Sequence, residues 1–388
     1  MSLPPSEIPL GAMRFNSDSN KLEYWIGSAW MQIKTFSPTL DGGVRAVYAG
    51  GSQGPPGPAT NEIQFFTIST QGDAADFGDL TRERNPASMG SNVRGVFASG
   101  SPGQGPYYTN EMDFISFSST GNATDFGDNA LSLSGAFGLS NQTRGLNAGG
   151  STPSGASNAI NMITIAQTGN AVDYGDLTAA RNDVKGACAS PVRGLVFGGI
   201  TPSITSVIDM ITIPTLGNAS DFGDLQGARE RGMGCSNSVR GLSAGGQDPA
   251  ATSNIDSVII ASRGNSVIFG NLSANNINTG ANAATTSPVR AVFCGGQNPS
   301  NTNIMEHIPI ATGGSAVDFG DLTEEKGNAQ SASDCIRGVR MGGSNGGSNN
   351  ITMDYIAIAT QGDAVDFGDL ATGQGEGAGC SNAHGGLG

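Results

Sequence analysis

One nine-residue phrase returns seven times along this chain. "GDAADFGDL" from Gly72 recurs as "GNATDFGDN" from Gly121, "GNAVDYGDL" from Gly169, "GNASDFGDL" from Gly217, "GNSVIFGNL" from Gly264, "GSAVDFGDL" from Gly314 and "GDAVDFGDL" from Gly362. In every copy a glycine stands five residues before an aromatic, which is followed by Gly and then by Asp or Asn. The aromatics are Phe77, Phe126, Tyr174, Phe222, Phe269, Phe319 and Phe367, spaced 49, 48, 48, 47, 50 and 48 residues apart. A magnesium-gripping Asp-Phe-Gly occurs once per active site, so seven copies at this interval mark architecture: a solenoid, a propeller or an array.

A second phrase, R-[GA]-x-x-x-[GS]-G, begins at Arg45, Arg94, Arg144, Arg193, Arg240, Arg290 and Arg337. Its short apolar run closed by glycines reads as a strand ending in a tight turn. After a variable segment comes a third run, such as "IDMITI" from Ile208, about six residues long and apolar on both faces, which suits a strand buried on both sides. Gly217-Asn218 and its equivalents are the dipeptides that support a two-residue hairpin, so the aromatic phrase is expected as the return strand. One more candidate strand precedes each Arg, as in "GMGCSNSV" before Arg240. Each unit is therefore four short antiparallel strands, and seven such units predict an all-β, seven-bladed propeller over residues 41–388.

The order of these phrases resembles the kelch repeat and the galactose-oxidase-type propeller, with Phe or Tyr where a kelch fourth strand carries Trp. The resemblance implies the fold and not the activity. Galactose oxidase needs copper held by Tyr and His beside a modified Cys, and only His307 and His384 exist here. The C-terminal "GAGCSNAHGGLG" aligns with "GMGCSNSVRGLS" and supplies a first strand with no unit behind it, whereas the unit starting at Arg45 lacks one. Residues near 377–387 are therefore expected to complete the first blade and close the ring by pairing N- and C-terminal strands.

Charge and cysteine content narrow the function further. With 19 basic and 33 acidic residues the formal charge is −14, which disfavours nucleic acid, because phosphate binding needs a basic surface. No apolar run is long enough for a membrane span, and "MSLPPSEIPLG" lacks the basic start of a secretory signal. Asp76, Asp125, Asp173, Asp221, Asp318 and Asp366 precede the aromatics, and six more Asp close the phrase. Spread rather than clustered, these carboxylates read as blade-to-blade salt bridges with the repeat arginines and as turn caps, not as a calcium site. Blade five departs from the pattern with Ile268 and Asn271. Cys188, Cys235 and Cys380 fall where other units carry Met89, Leu139, Thr285 or Ala332, so buried, reduced thiols are expected, and Cys294 and Cys335 show no CxxC spacing either. Neither a cofactor, a metal nor a catalytic set is expected.

Residues 1–40 are different material. Both tryptophans, Trp25 and Trp30, lie in "GAMRFNSDSNKLEYWIGSAWMQI", which reads as a small β-hairpin or three-stranded element. The pattern made by Gly11, Arg14, Phe15, Asn16, Lys21, Glu23, Tyr24, Trp25, Gly27 and Trp30 resembles segments of virion structural proteins of tailed bacteriophages, particularly marine and cyanobacterial ones, including tail fibres. That resemblance implies a non-enzymatic virion component made in the host cytoplasm. Its N-terminal element is expected to dock to other virion proteins through Phe15, Tyr24, Trp25 and Trp30. The propeller is expected to meet a host surface glycan or outer-membrane protein, with homo-oligomerisation allowed. A decoration protein that only stabilises the particle and a cellular kelch-type scaffold are the competing readings.

Within each blade the loops between second and third strands vary most, and by strand order they share an end with the fourth-to-first connections. Variation there, against repetition at the other end, places the partner-binding surface at the variable end. The expected contact residues are Tyr107 and Tyr108, suited to stacking on a sugar or filling a protein pocket, with Arg82, Arg84, Arg229 and Arg231.

Overall fold

A computed structural model describes residues 8–16, 21–32, 45–53, 57–103, 107–276, 284–297, 299–334, 336–345 and 348–383. The chain divides into two compact units, 1–40 and 41–388. The described residues are strands, turns and loops, with no helix among them.

The small unit is a three-stranded antiparallel sheet of β1 (Met13–Asn16), β2 (Lys21–Trp25) and β3 (Trp30–Gln32). Its register pairs Met13 with Tyr24 and Tyr24 with Met31, and places Arg14 beside Glu23 and Trp25 beside Trp30. Alternation along a strand then separates two faces. On one face the Trp25 and Trp30 rings lie 5.4 Å apart, and the Arg14 guanidinium sits 4.3 Å above Trp30 while pairing with Glu23 at 2.9 Å. The other face carries Met13, Phe15, Tyr24 and Met31, all exposed.

In the large unit the repeats form seven four-stranded antiparallel sheets among the described residues. Sheet I contains β4 (Arg45–Ala49), β5 (Glu62–Thr67) and β6 (Ala75–Asp79), and its first strand is Ala378–Ser381 from the far end of the chain. That strand pairs with β4 from Ala378 opposite Ala49 to Ser381 opposite Ala46. Sheets II to VII follow within residues 85–133, 137–176, 187–224, 233–276, 284–321 and 330–369.

Two repeated phrases turn out to be contacts between successive sheets. The glycine of each aromatic phrase lies against the opening glycine of the next copy: a Cβ on Gly78, at φ +136°, would fall 2.5 Å from the Gly121 carbonyl. Gly121 in turn donates its N–H to the Phe77 carbonyl at 2.7 Å. The same bond is made by the opening glycine of every copy, and in the last case Gly72 of sheet I donates to Phe367 of sheet VII at 2.8 Å. The expected two-residue Gly-Asn hairpin is therefore corrected. The chain reverses earlier, where Thr70 N–H bonds to the Thr67 carbonyl, and Gly72–Ala74 runs along the neighbouring sheet instead.

The expected Arg–Asp lattice is corrected as well. Among the described residues none of the seven repeat arginines forms an ion pair. Arg45, Arg94, Arg144, Arg193 and Arg290 donate to the Phe117, Ile165, Ile213, Ile260 and Ile358 carbonyls of the next sheet, and Arg337 donates to Ile68 and Ser69 of sheet I. The guanidiniums of Arg45, Arg94, Arg240 and Arg337 also lie over Phe65, Phe114, Phe269 and Tyr355. The aspartates before the aromatics serve as caps: Asp76 accepts from the Gly78 N–H at 2.9 Å, and Asp125, Asp173, Asp221, Asp318 and Asp366 repeat this bond. Phe77, Phe126, Tyr174, Phe222, Phe319 and Phe367 are buried and Phe269 half-buried, in clusters that each draw on neighbouring sheets.

Candidate functional site

The end of the sheets that carries the variable loops encloses a depression of about 610 Å³. Its wall is built from the fourth-to-first connections and the starts of the first strands, through Asn85, Ser88, Ser134, Asp183, Lys185, Asn328, Gln330 and Glu376, and the loops add Ser52, Tyr107, Ser344 and Asn349. Several loops are ordered as two-stranded ribbons, such as Ser151–Thr152 with Gly155–Ala156 and Ser344–Asn345 with Ser348–Asn349.

Each connection is held from below by a polar residue in the middle of the third strand. Asp113 and Asp209 accept the Thr81 and Thr178 N–H groups, Asn161 accepts Ala130, Glu306 accepts Ser273, and Gln64 accepts Ala371. In four sheets a buried cation from the connection joins the third-strand aspartate. Arg84 meets Asp113 at 2.7 Å, Arg181 meets Asp209 at 2.9 Å, Lys326 meets Asp354 at 2.7 Å, and Arg229 pairs with Asp256. Burial lowers the proton affinity of Arg181, Arg229 and Lys326, and each facing aspartate opposes that effect. This latch was absent from the sequence reading although its signal was present. The cation always stands five residues after the closing Asp, in "DLTRER", "DLTAAR", "DLQGAR" and "DLTEEK".

The expected partner residues are scattered by this geometry. Tyr107 lines the depression and is 61% exposed, while Tyr108 is half-buried and outside the lining. Arg82 lines a second groove with Pro58, Asn61, Thr81, Glu83 and Pro102, and pairs with Glu111 at 3.1 Å. Arg231 remains partly exposed and pairs with Asp183 at 3.1 Å. Arg84 and Arg229 are removed as surface contacts: at 0% and 2% exposure both are locked into the latches. In the small unit Trp25 is 6% exposed and packed beside Trp30, so of the four expected docking residues only Phe15 and Tyr24 belong to the open face. Met13 and Met31, which the sequence reading omitted, complete that face.

Among the described residues no three His, Cys, Asp or Glu side chains gather to hold a metal ion. Burial pushes the thiols of Cys188 and Cys380 up to about 12 and that of Cys294 up to about 11, which leaves them as packing groups. Burial also lowers His307, whose ring bonds Gln361 at 2.8 Å and sits edge-on to Phe319. His384 and Cys335 lie outside the described residues. At the opposite end of the sheets the residue before the repeat arginine is apolar and more than half exposed in Val93, Val192, Val239, Val289 and Ile336. Compared with known proteins, the chain matches no family model and no curated protein sequence.

Proposed function

We propose that this chain is a non-enzymatic structural protein of a tailed-bacteriophage particle, part of a tail fibre, baseplate or other appendage. Residues 41–388 are a closed, seven-bladed kelch-like β-propeller. Closure is supported by the Gly72–Phe367 bond, by the Arg337 contacts to sheet I and by the pairing of Ala378–Ser381 with β4. Residues 1–40 attach the propeller to other virion proteins, and the variable-loop end faces the host surface.

The observation that carries this reading is the division of labour within each repeat. The repeated phrases form contacts between sheets, whereas at the other end the variable loops of sheets I, II and VII join the fourth-to-first connections around one depression with an exposed aromatic. A small separate sheet with an apolar open face suits attachment, because an element of three short strands needs a larger body to pack against.

The test is assembly of phage particles with a chain lacking residues 1–36. Mass spectrometry of purified particles is expected to show the protein lost from the virion while the free propeller remains folded. Incorporation at normal occupancy would overturn the attachment role. Antibodies to residues 41–388 should label intact particles and slow adsorption to host cells. Labelling without any effect on adsorption would leave a structural component and remove host recognition.

A further inference from the structure

We infer that the 610 Å³ depression is a binding site for a neutral oligosaccharide, an inference that rests on the host-recognition reading above. Its volume lies in the usual range of ligand sites, roughly 300–1,000 Å³. The lining is chemically specific. Hydroxyl and amide side chains (among them Ser88, Ser134, Asn85, Gln330 and Asn349) make up most of its polar part, with the carboxylates Asp183 and Glu376 and the amine of Lys185, and small apolar patches such as Pro86, Phe137 and Val184 lie between them. With Asp183 already paired to Arg231, Glu376 and Lys185 balance one another and give a phosphorylated or sulfated ligand no net attraction, and a greasy ligand would strand the amides without partners. Sugar hydroxyls, which both donate and accept, match amides that do the same and carboxylates that accept.

Two observations indicate that these side chains await a ligand. Gln330 is 2% exposed and lines the depression, yet its Oε1 accepts no hydrogen bond from the protein, and the Oδ1 of Asn85 is likewise unbonded. Buried acceptors are normally satisfied, so each marks a place for an incoming hydroxyl. The second observation is backbone strain at the rim. Asp183, Asn328 and Glu376 adopt φ of +51°, +54° and +60°, a conformation that Gly135 of the same rim reaches at +62° without strain. A chain with 60 glycines keeps polar side chains at these strained positions, and such strain concentrates where side chains are used. At the lip, the exposed Tyr107 ring offers the flat face on which the C–H side of a pyranose stacks.

The test uses the full chain and a fixed set of probes: maltotriose, chitotriose and mannotriose as neutral sugars, with sialyllactose and a sulfated disaccharide as anionic ones. Saturation-transfer NMR and calorimetry are expected to detect at least one neutral probe. Tyr107→Ala and Glu376→Gln should each weaken it tenfold or more while the thermal unfolding curve is unchanged. Binding of anionic probes only, binding indifferent to both variants, or no binding by any probe would each overturn the inference. Adsorption by particles carrying Tyr107→Ala separates this proposal from the reading beneath it. Reduced adsorption with no sugar binding removes the saccharide and keeps host recognition. Sugar binding with unchanged adsorption keeps the site and removes host recognition.

Discussion

Arg181 is fully buried with Asp209 at 2.9 Å, so neither charge has water to turn to if the other is removed. Arg181→Ala should therefore cost about 3–5 kcal/mol, because it leaves an uncompensated buried carboxylate. The double variant Arg181→Met with Asp209→Asn should recover most of that loss, since it removes both buried charges while the amide oxygen introduced at position 209 still accepts the Thr178 N–H. Urea unfolding of the two single variants and the double variant checks this, and additive losses would mean that the pair is not a unit. The same latch explains why part of the site was misread. Charged residues are usually exposed, so Arg84 and Arg229 were placed at the surface by their type, although their spacing from the closing aspartate marked them as equivalents of Arg181 and Lys326. Tyr107 was legible because an aromatic in a Ser/Gly/Pro loop has nowhere local to pack. Gln330 and Glu376 were not, because their place in the depression depends on how sheets at opposite ends of the chain are brought together.

At the scale of the strand, the Arg-Gly phrase is explained by the sheet before it. A Cβ on Gly241 would fall 2.7 Å from Cys188 Sγ, one on Gly145 would fall 2.9 Å from Met89 Sδ, and one on Gly194 would fall 2.7 Å from a Leu139 methyl. The first-strand residue of one sheet thus occupies the space that the glycine of the next leaves open. Two sheets carry alanine in place of this glycine: Ala46, in a cluster whose first-strand member is the small Ala332, and Ala291, in a cluster whose first-strand member is Cys235. Gly241→Ala is accordingly expected to destabilise by about 1–3 kcal/mol through overpacking. Cys188→Ala in the same chain should return most of it by recreating the Ala46–Ala332 arrangement. Thermal unfolding of both variants decides, and no recovery in the double variant would place the strain elsewhere. The strands themselves were readable from local runs and glycine punctuation. What the glycines receive was not, because the contact joins residues some fifty positions apart and leaves no mark in a short window.

For the whole molecule, the period predicted the number of sheets, and the unmatched "GAGCSN" predicted which one borrows its first strand. The borrowed strand does more than extend a ladder. Ala378 and Cys380 pack into the cluster with Val47, Ala49 and Phe97, a Cβ on Gly95 of sheet II would fall 3.0 Å from Cys380 Sγ, and the Tyr48 hydroxyl donates to the Gln374 carbonyl beside it. Removing residues 378–388 leaves β4 with an open edge and strips sheets I and II of a shared wall. Four lost pairings and two unburied side chains together amount to a loss on the order of 5 kcal/mol. The ring proposed above adds a spatial signature. Loss of the strand should raise hydrogen exchange first in β4, in β5 and in the facing strands 85–101, with sheets III to V protected until global unfolding. A synthetic peptide of residues 376–388 added in excess should restore both protection and melting temperature, because the open edge is the template it fits. Uniform exchange across all seven sheets, or a truncated chain that melts with the intact one, would mean that the pairing of the two ends is not what holds the sheets in a ring.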